Sequence, residues 1–214
     1  IVMHATAQTN LASWQELAER YEAIFASERR YDASYEAFGA LLPTGGRVLE
    51  AGCGPAFLLR YLAARRPDLP LHAADGAPAM LALVRQRLPQ AGVHLCDLSQ
   101  PEQLPAGPWQ ALALPFCISY LPTAATYALL QAVWQQLAPG GFLYLSFTAG
   151  RPQRSGEVRG STGHAMHFYF YHASTLKVWL RKQGWGLLFE ERLRYYRRRQ
   201  SETQVLWVWQ KPVC

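Results

Sequence analysis

The stretch Val48-Leu49-Glu50-Ala51-Gly52-Cys53-Gly54-Pro55-Ala56 decides the fold. An apolar strand (Arg47, Val48, Leu49) runs into an acid, then into a tight Gly-x-Gly turn. The apolar face of a helix follows, carried by Phe57, Leu58, Tyr61 and Leu62. Glycine at 52 and 54 permits backbone angles closed to other residues and lets a ligand approach the main chain. The first turn of the next helix aims free N–H groups at whatever sits there. A βα unit of this kind is a nucleotide-type binding site.

Two cofactor classes use such a turn. Dinucleotide enzymes need G-x-G-x-x-G, with the pyrophosphate on the helix N-terminus. Here Pro55, Ala56 and Phe57 follow Gly54, so the third glycine is missing and a bulky ring stands where helix meets strand. Glu50 would also repel a diphosphate. An acid at that point suits a ligand with an ammonium group, and S-adenosylmethionine (SAM) has an ammonium, a sulfonium and no phosphate.

The segment 48–55 resembles motif I of the class I SAM-dependent methyltransferases, which reads apolar-apolar-acid-x-Gly-x-Gly-x-Gly. The third family glycine falls at Ala56. Leu71-His72-Ala73-Ala74-Asp75 resembles that family's second strand, whose terminal acid binds the ribose hydroxyls. Val93-His94-Leu95-Cys96-Asp97-Leu98 resembles its third strand, whose terminal acid reaches the adenine amine. Leu137-Ala138-Pro139-Gly140-Gly141-Phe142-Leu143-Tyr144-Leu145 resembles its helix end, Pro-Gly-Gly turn and fifth strand. The likeness covers about 40–214 and is clearest over 47–147. It implies SAM as cofactor, with Glu50, Gly52, Cys53, Gly54, Asp75, Asp97 and Leu98 as the binding set. Each has a structural alternative. Asp75 can cap the helix starting at Pro78, Asp97 can cap a turn before Ser99, and Cys53 can simply pack in its turn.

The pattern along the chain agrees. Residues 11–25 and 32–42 have helical spacing and form a lead-in over 1–42. A single methyltransferase-like domain is expected over 43–214. Strands are expected at 47–50, 71–74, 93–96, 110–114 and 142–147, alternating with helices at 56–65, from Pro78, and at 123–138. Such alternation implies a parallel sheet with helices on both faces. Residues 148–166 hold four glycines and three arginines without apolar periodicity and are expected to be a loop insertion at the ligand edge. A helix over 174–183 and two strands, 186–195 and 203–210, complete the chain. The resemblance implies a Rossmann-like, seven-stranded, mostly parallel α/β sheet with this antiparallel C-terminal pair.

Composition narrows the rest. Half of the 214 residues are apolar, enough for one domain with a sizeable core. No run of 18 apolar residues stands in the sequence, so no membrane span is expected. No basic start followed by an apolar block marks a signal peptide. The four cysteines, 53, 96, 117 and 214, are widely spaced, which suits free thiols and a cytoplasmic home. Residues 1–150 carry nine Lys/Arg against eleven Asp/Glu, net −2. Residues 151–214 carry twelve against four, net +8. That basic third is either a solvated face or a funnel for an anionic acceptor or nucleic acid. Arg197-Arg198-Arg199 is its densest run.

Methyl transfer from a sulfonium is an in-line displacement with an activated leaving group, so the enzyme mainly supplies alignment. A general base is needed only if the acceptor loses a proton. Its candidates are His164, His167 and Tyr120. His164-x-x-His167 has no third or fourth ligand at metal-site spacing, so no metal is expected. The exit of strand 4, Leu114-Pro115-Phe116-Cys117-Ile118-Ser119-Tyr120, lacks the Asn/Asp-Pro-Pro-Tyr/Phe of amino-methylating nucleic-acid enzymes. It also lacks the adjacent Pro-Cys of cytosine-5 enzymes. The favoured reading is a SAM-dependent methyltransferase with a small-molecule acceptor. An RNA-directed or ribosome-associated enzyme, and a non-catalytic SAM-fold partner protein, are the alternatives.

Overall fold

A computed structural model describes residues 2–159, 164–197 and 200–213. The apolar run before the Gly-x-Gly turn forms β1 (Val48–Ala51), buried at every position. A strand buried on both faces belongs inside a parallel sheet covered by helices. β1 pairs in parallel with β2 (Leu71–Asp75) on one side and β4 (Trp109–Pro115) on the other. β3 (Gly92–Leu95) extends the sheet beyond β2, and β5 (Leu137–Ala149) extends it beyond β4. An antiparallel hairpin, β8 (Gly186–Arg197) and β9 (Gln200–Gln210), closes it, with β9 against β5. The order is β3-β2-β1-β4-β5-β9-β8, a seven-stranded, mostly parallel Rossmann-like sheet.

Helices cover both faces, as the alternating pattern requires. On one side α2 (Asp32–Leu41), α3 (Phe57–Arg65) and α4 (Pro78–Arg87) bury Phe38, Leu58, Leu59, Leu62 and Val84 against the sheet. On the other, α5 (Thr123–Gln136) and α6 (Ala173–Lys182) bury Leu129, Leu130, Val133, Leu176 and Leu180 around Trp109, Trp207 and Trp209. Cys53, Cys96 and Cys117 are free thiols. No helix among the described residues is long and apolar enough to cross a membrane.

The lead-in helix α1 (Val2–Phe25) is longer than its periodicity suggests. Its Glu22 is buried and holds two arginines. Arg60 of α3 donates to Oε1 at 3.0 Å, and Arg87 of α4 donates to both oxygens at 2.8 and 3.1 Å. The Arg87 hydrogen bond is the main reason that the Glu22 carboxyl sits below its usual range. This clamp lays α1 across the C-terminal ends of the strands.

Residues 148–166 correct the expectation of a loop. β5 runs on to Ala149, a 3₁₀ turn spans Pro152–Arg154, and β6 (Gly156–Arg159) pairs antiparallel with β7 (Ala165–Phe168). Residues 160–163 lie outside the described residues. The reason for the strands is tertiary. Asn10 of α1 donates to the carbonyls of Tyr120 and His167 and accepts the His167 N–H, while Ser13 donates to the Ala165 carbonyl. A lone strand pair is marginal in water and needs such packing.

Candidate functional site

Strand order reverses between β1 and β4, and at that switch point open α/β sheets bind ligands beyond their C-terminal strand ends. Two cavities meet there. The smaller, about 120 Å³, is floored by Gly52, Gly54, Asp75, Asp97 and Leu98. The larger, about 710 Å³, opens toward α2, α3 and the β6–β7 hairpin. Trp14, Tyr21, Pro115, Phe116 and Tyr120 line both, so one wall serves the two spaces.

The turn after β1 holds Gly52 at φ +65° and Gly54 at +51°, angles that favour glycine. Their surroundings differ. A Cβ on Gly54 would meet only Met80 Sδ at 3.9 Å, so its α-carbon faces open space in the cleft. A Cβ on Gly52 would strike Cys117 Cβ at 2.5 Å and Leu98 Cδ1 at 2.9 Å, so this glycine also lets the turn pack against the β4 exit. Ala56, at the place of the third family glycine, has φ +56°.

Asp75 ends β2 with its carboxylate split between two main-chain donors. Gly54 N–H reaches Oδ2 and Ala77 N–H reaches Oδ1, each at 2.9 Å. It therefore ties the two turns together and lines the cleft at once. Burial raises its pKa, against the pull of those N–H groups. Asp97 lines the same cleft and also caps its turn, accepting Ser99 N–H on Oδ1 and the Gln100 side chain on Oδ2. Cys53 does not line either cavity. Its thiol lies in the core beside Ala56 and Leu58, and burial pushes its pKa well up.

Glu50 is the most costly group here. It is 1% exposed and accepts one hydrogen bond, from Leu59 N–H of α3 at 3.0 Å. Desolvation pushes its pKa up to about 8, with nearby Asp75 adding to the rise. Tyr21 and Tyr35 surround it, both shifted upward mainly by burial.

The three candidate bases are not equivalent. His164 lines the larger cavity, and its Nε2 lies 2.6 Å from Glu16 Oε2 of α1. Tyr120 lines both cavities and meets Trp14 edge-to-face at 5.0 Å. The His167 ring packs on Tyr169 at 4.6 Å and lines neither cavity. Cys117 packs at Gly52, its thiol forced far up by burial, which is poor preparation for a nucleophile. No cluster of metal-ligating side chains occurs among the described residues. Arginines lining the larger cavity come from α1, the α1–α2 turn and α3, namely Arg20, Arg29, Arg60 and Arg65. From the basic third, Arg154 stacks over Phe170, while Arg159 and Arg192 pair with Glu157 and Glu190. Arg198 and Arg199 lie outside the described residues, as does the Arg197 side chain.

Residues 48–141 match the family described as a methyltransferase domain. That match spans β1 through the start of β5, the part of the sheet that builds the cleft. The part of the chain that builds the cleft is thus similar to a methyltransferase domain. Among curated proteins, this chain is 34% identical over 119 residues to trans-aconitate 2-methyltransferase of Methylobacterium nodulans, covering 56% of this chain and 45% of that protein. It is 29% identical over 155 residues to the enzyme of the same name from Delftia acidovorans, covering 72% and 57%. The chain thus matches about half the length of these relatives. Among solved structures, 1,6-didemethyltoxoflavin-N1-methyltransferase of Burkholderia thailandensis aligns with TM-score 0.73 at 14% identity, over 98% of this chain and 90% of that one. The DhpI–SAM–HEP complex aligns with TM-score 0.69 at 19% identity, over 95% and 98%. At such identities the likeness is one of fold.

Several site residues escape a sequence reading. Trp14 and Tyr21 lie far upstream of motif I, and a helical apolar spacing looks alike over a core and over a ligand. Met80 reads as a core position of α4. Phe116 reads as part of a strand exit, yet it has φ +57° and lines both cavities.

Proposed function

We propose that the chain is a SAM-dependent methyltransferase acting on a small-molecule acceptor. The observation that carries this reading is the shared wall: a cleft bordered by Gly54, Asp75 and Asp97 opens beside a larger cavity, with Tyr21, Phe116 and Tyr120 common to both. The residues present fit the cofactor. Gly54 leaves space that a Cβ would fill, and two carboxylates stand along the cleft. Bound there, SAM supplies a methyl group on a positively charged sulfur.

The chain's own residues then have distinct tasks. Asp75 keeps a lone pair on each oxygen after holding Gly54 and Ala77, and these accept ribose hydroxyls as charge-assisted hydrogen bonds. Asp97 would accept the adenine amine, and Leu98 and Met80 line the same cleft. Glu50 borders the larger cavity rather than the cleft itself, and there it would face the methionyl ammonium, whose charge would offset the cost of ionising a buried acid. α1 and the β6–β7 hairpin line one side of the larger cavity. Where the acceptor must lose a proton, His164 and Tyr120 are the groups placed to take it. Free thiols at positions 53, 96 and 117 suit the cytoplasmic setting that belongs to this proposal.

Calorimetry with SAM and its demethylated product tests the cofactor half. Release of that product on adding acceptors tests the rest, and trans-aconitate is the first compound to try because the relatives carry its name. Absence of SAM binding, or binding of NAD in its place, would overturn the reading.

A further inference from the structure

We infer that the acceptor is a planar aromatic or heteroaromatic molecule, neutral or singly charged, and not a polyanion. The inference rests on the larger cavity being the acceptor site of a methyltransferase, and it names the chemistry of what enters.

The first ground is the wall. Rings reach the cavity from six parts of the chain: Trp14 from α1, Tyr31 from the turn before α2, Phe57 from α3, Phe116 from the β4 exit, Phe168 from β7 and Tyr195 from β8. They are fixed to one another. Trp14 meets Tyr120 at 5.0 Å and 88°, Tyr120 meets Phe168 at 5.4 Å and 89°, and Tyr31 meets Phe116 at 5.2 Å and 53°. Rings held this way cannot fold away from a ligand, so little ordering entropy is lost on binding. A flat ring entering such a wall gains dispersion and quadrupole contacts that an extended aliphatic chain does not.

The second ground is charge. A small ligand bearing several carboxylates needs a cluster of uncommitted cations. The cavity has Arg20, Arg29, Arg60 and Arg65 against Glu28, Asp32, Glu50 and Glu202. Arg60 is held by Glu22, and Arg65 lies 3.7 Å over the Tyr61 ring. His164 is engaged by Glu16. Arg20 and Arg29 are left, and Asp32 and Glu202 share the cavity with them. Two exposed cations facing two acids accommodate one anionic substituent and do not form a polyanion clamp.

The third ground is an uncharged polar group among the rings. Tyr35 is buried and lines the cavity, and its hydroxyl makes no hydrogen bond among the described residues. Its hydroxyl is a ready partner for a ring heteroatom or a phenol, and Ser119 and Thr148 lie on the same lining.

The test uses the whole chain saturated with S-adenosylhomocysteine, and calorimetric titration with two probe sets. One is planar, 2-naphthol and 8-hydroxyquinoline. The other is polyanionic, trans-aconitate and citrate. The planar set is expected to bind at least about tenfold more tightly. Phe168→Leu, which keeps an apolar group but removes the ring, is expected to weaken the planar set roughly fivefold and to leave S-adenosylhomocysteine affinity unchanged. Tighter binding of trans-aconitate overturns the inference, as does planar binding that is absent or indifferent to Phe168→Leu. Failure of S-adenosylhomocysteine to bind at all would instead overturn the methyltransferase reading beneath it.

Discussion

Replacing Glu50 with glutamine separates what this acid costs the fold from what it gives the site. In the ligand-free protein the carboxyl is buried, holds a single N–H and has its pKa pushed from an ordinary 4.5 up to about 8. Because the folded value lies above the unfolded one, the unfolded chain releases its proton first as pH rises. Stability is therefore lost progressively between about 4.5 and 8, at about 1.4 kcal/mol per pH unit. At pH 7 the accumulated cost is about 3 kcal/mol. Glu50→Gln cannot ionise. Its amide oxygen can still accept the Leu59 N–H, while its NH₂ brings a buried donor that costs about 1–3 kcal/mol if unpaired.

The variant is accordingly expected to be no more stable than wild type at pH 5 and more stable at pH 7 to 8. Urea unfolding at pH 5, 6, 7 and 8, followed by the fluorescence of fully buried Trp109, Trp207 and Trp209, measures the difference. The diagnostic quantity is the slope of that difference with pH, because the amide penalty does not titrate. A flat difference across this range, or a wild type that gains on the variant as pH rises, would refute the reasoning. The site predicts the opposite ranking for ligand: SAM should bind wild type more tightly than Glu50→Gln. At pH 7 its ammonium should drive proton release, seen as a binding enthalpy that varies with the buffer's ionisation heat.

Three further outcomes are expected. Asp75→Asn removes the charge from the ribose contacts and replaces one acceptor of a main-chain N–H by a donor, so it should weaken S-adenosylhomocysteine binding by about 2–4 kcal/mol in calorimetry and also lower the melting temperature. Ala56→Gly removes a left-handed strain of about 1–2 kcal/mol but adds the usual glycine entropy cost of about 0.5–1 kcal/mol, so the melting temperature should hold or rise slightly where a right-handed site would lose. Glu22→Gln should loosen α1 and raise its amide exchange above that of β4; the wild-type clamp is present at neutral pH and lost on acidification through the lowered Glu22 pKa, so the two proteins should converge in acid.

Most of the sheet was legible in the sequence because its signals are local. Apolar runs of four or five residues before a turn, and helices with a clear apolar face, place β1 to β4 and α3 to α6 within a few residues, whereas β5 starts at Leu137 and runs through the Pro-Gly-Gly segment expected as a turn. The acids at the strand ends were legible for the same reason. Asp97 caps its turn before Ser99, Asp75 ties the Gly54 and Ala77 turns together without capping α4, and both line the cleft. The β6–β7 hairpin was not legible. Its strands are only four residues each and lie among glycines, and what holds them as strands is Asn10 and Ser13 on a helix about 150 residues away. The aromatic wall was hidden likewise, since its rings come one or two at a time from separate elements.

Strain marks the same place by a route that composition cannot show. Among the described residues only two non-glycine positions have positive φ, Ala56 and Phe116. One ends the turn after β1 and the other ends β4, so they flank the point where sheet order reverses. Each costs about 1–3 kcal/mol unless its surroundings hold it. Phe116 is held: its N–H is shared by the carbonyl and hydroxyl of Ser146, and its ring packs on Tyr31. Ala56 is fully buried and starts α3 with its N–H on the Cys53 carbonyl. Glu50, buried with one hydrogen bond, lies between these two turns in the sheet. Of these, Phe116 lines both cavities, Glu50 lines the larger one, and Ala56 is buried in the core at the start of α3. A fold selected for stability alone would have glycine at 56 and an apolar residue at 50. The present choices make sense if a cationic ligand and a flat acceptor complete the site, and the opposed effects of Glu50→Gln on stability and on binding are the direct measure of that exchange.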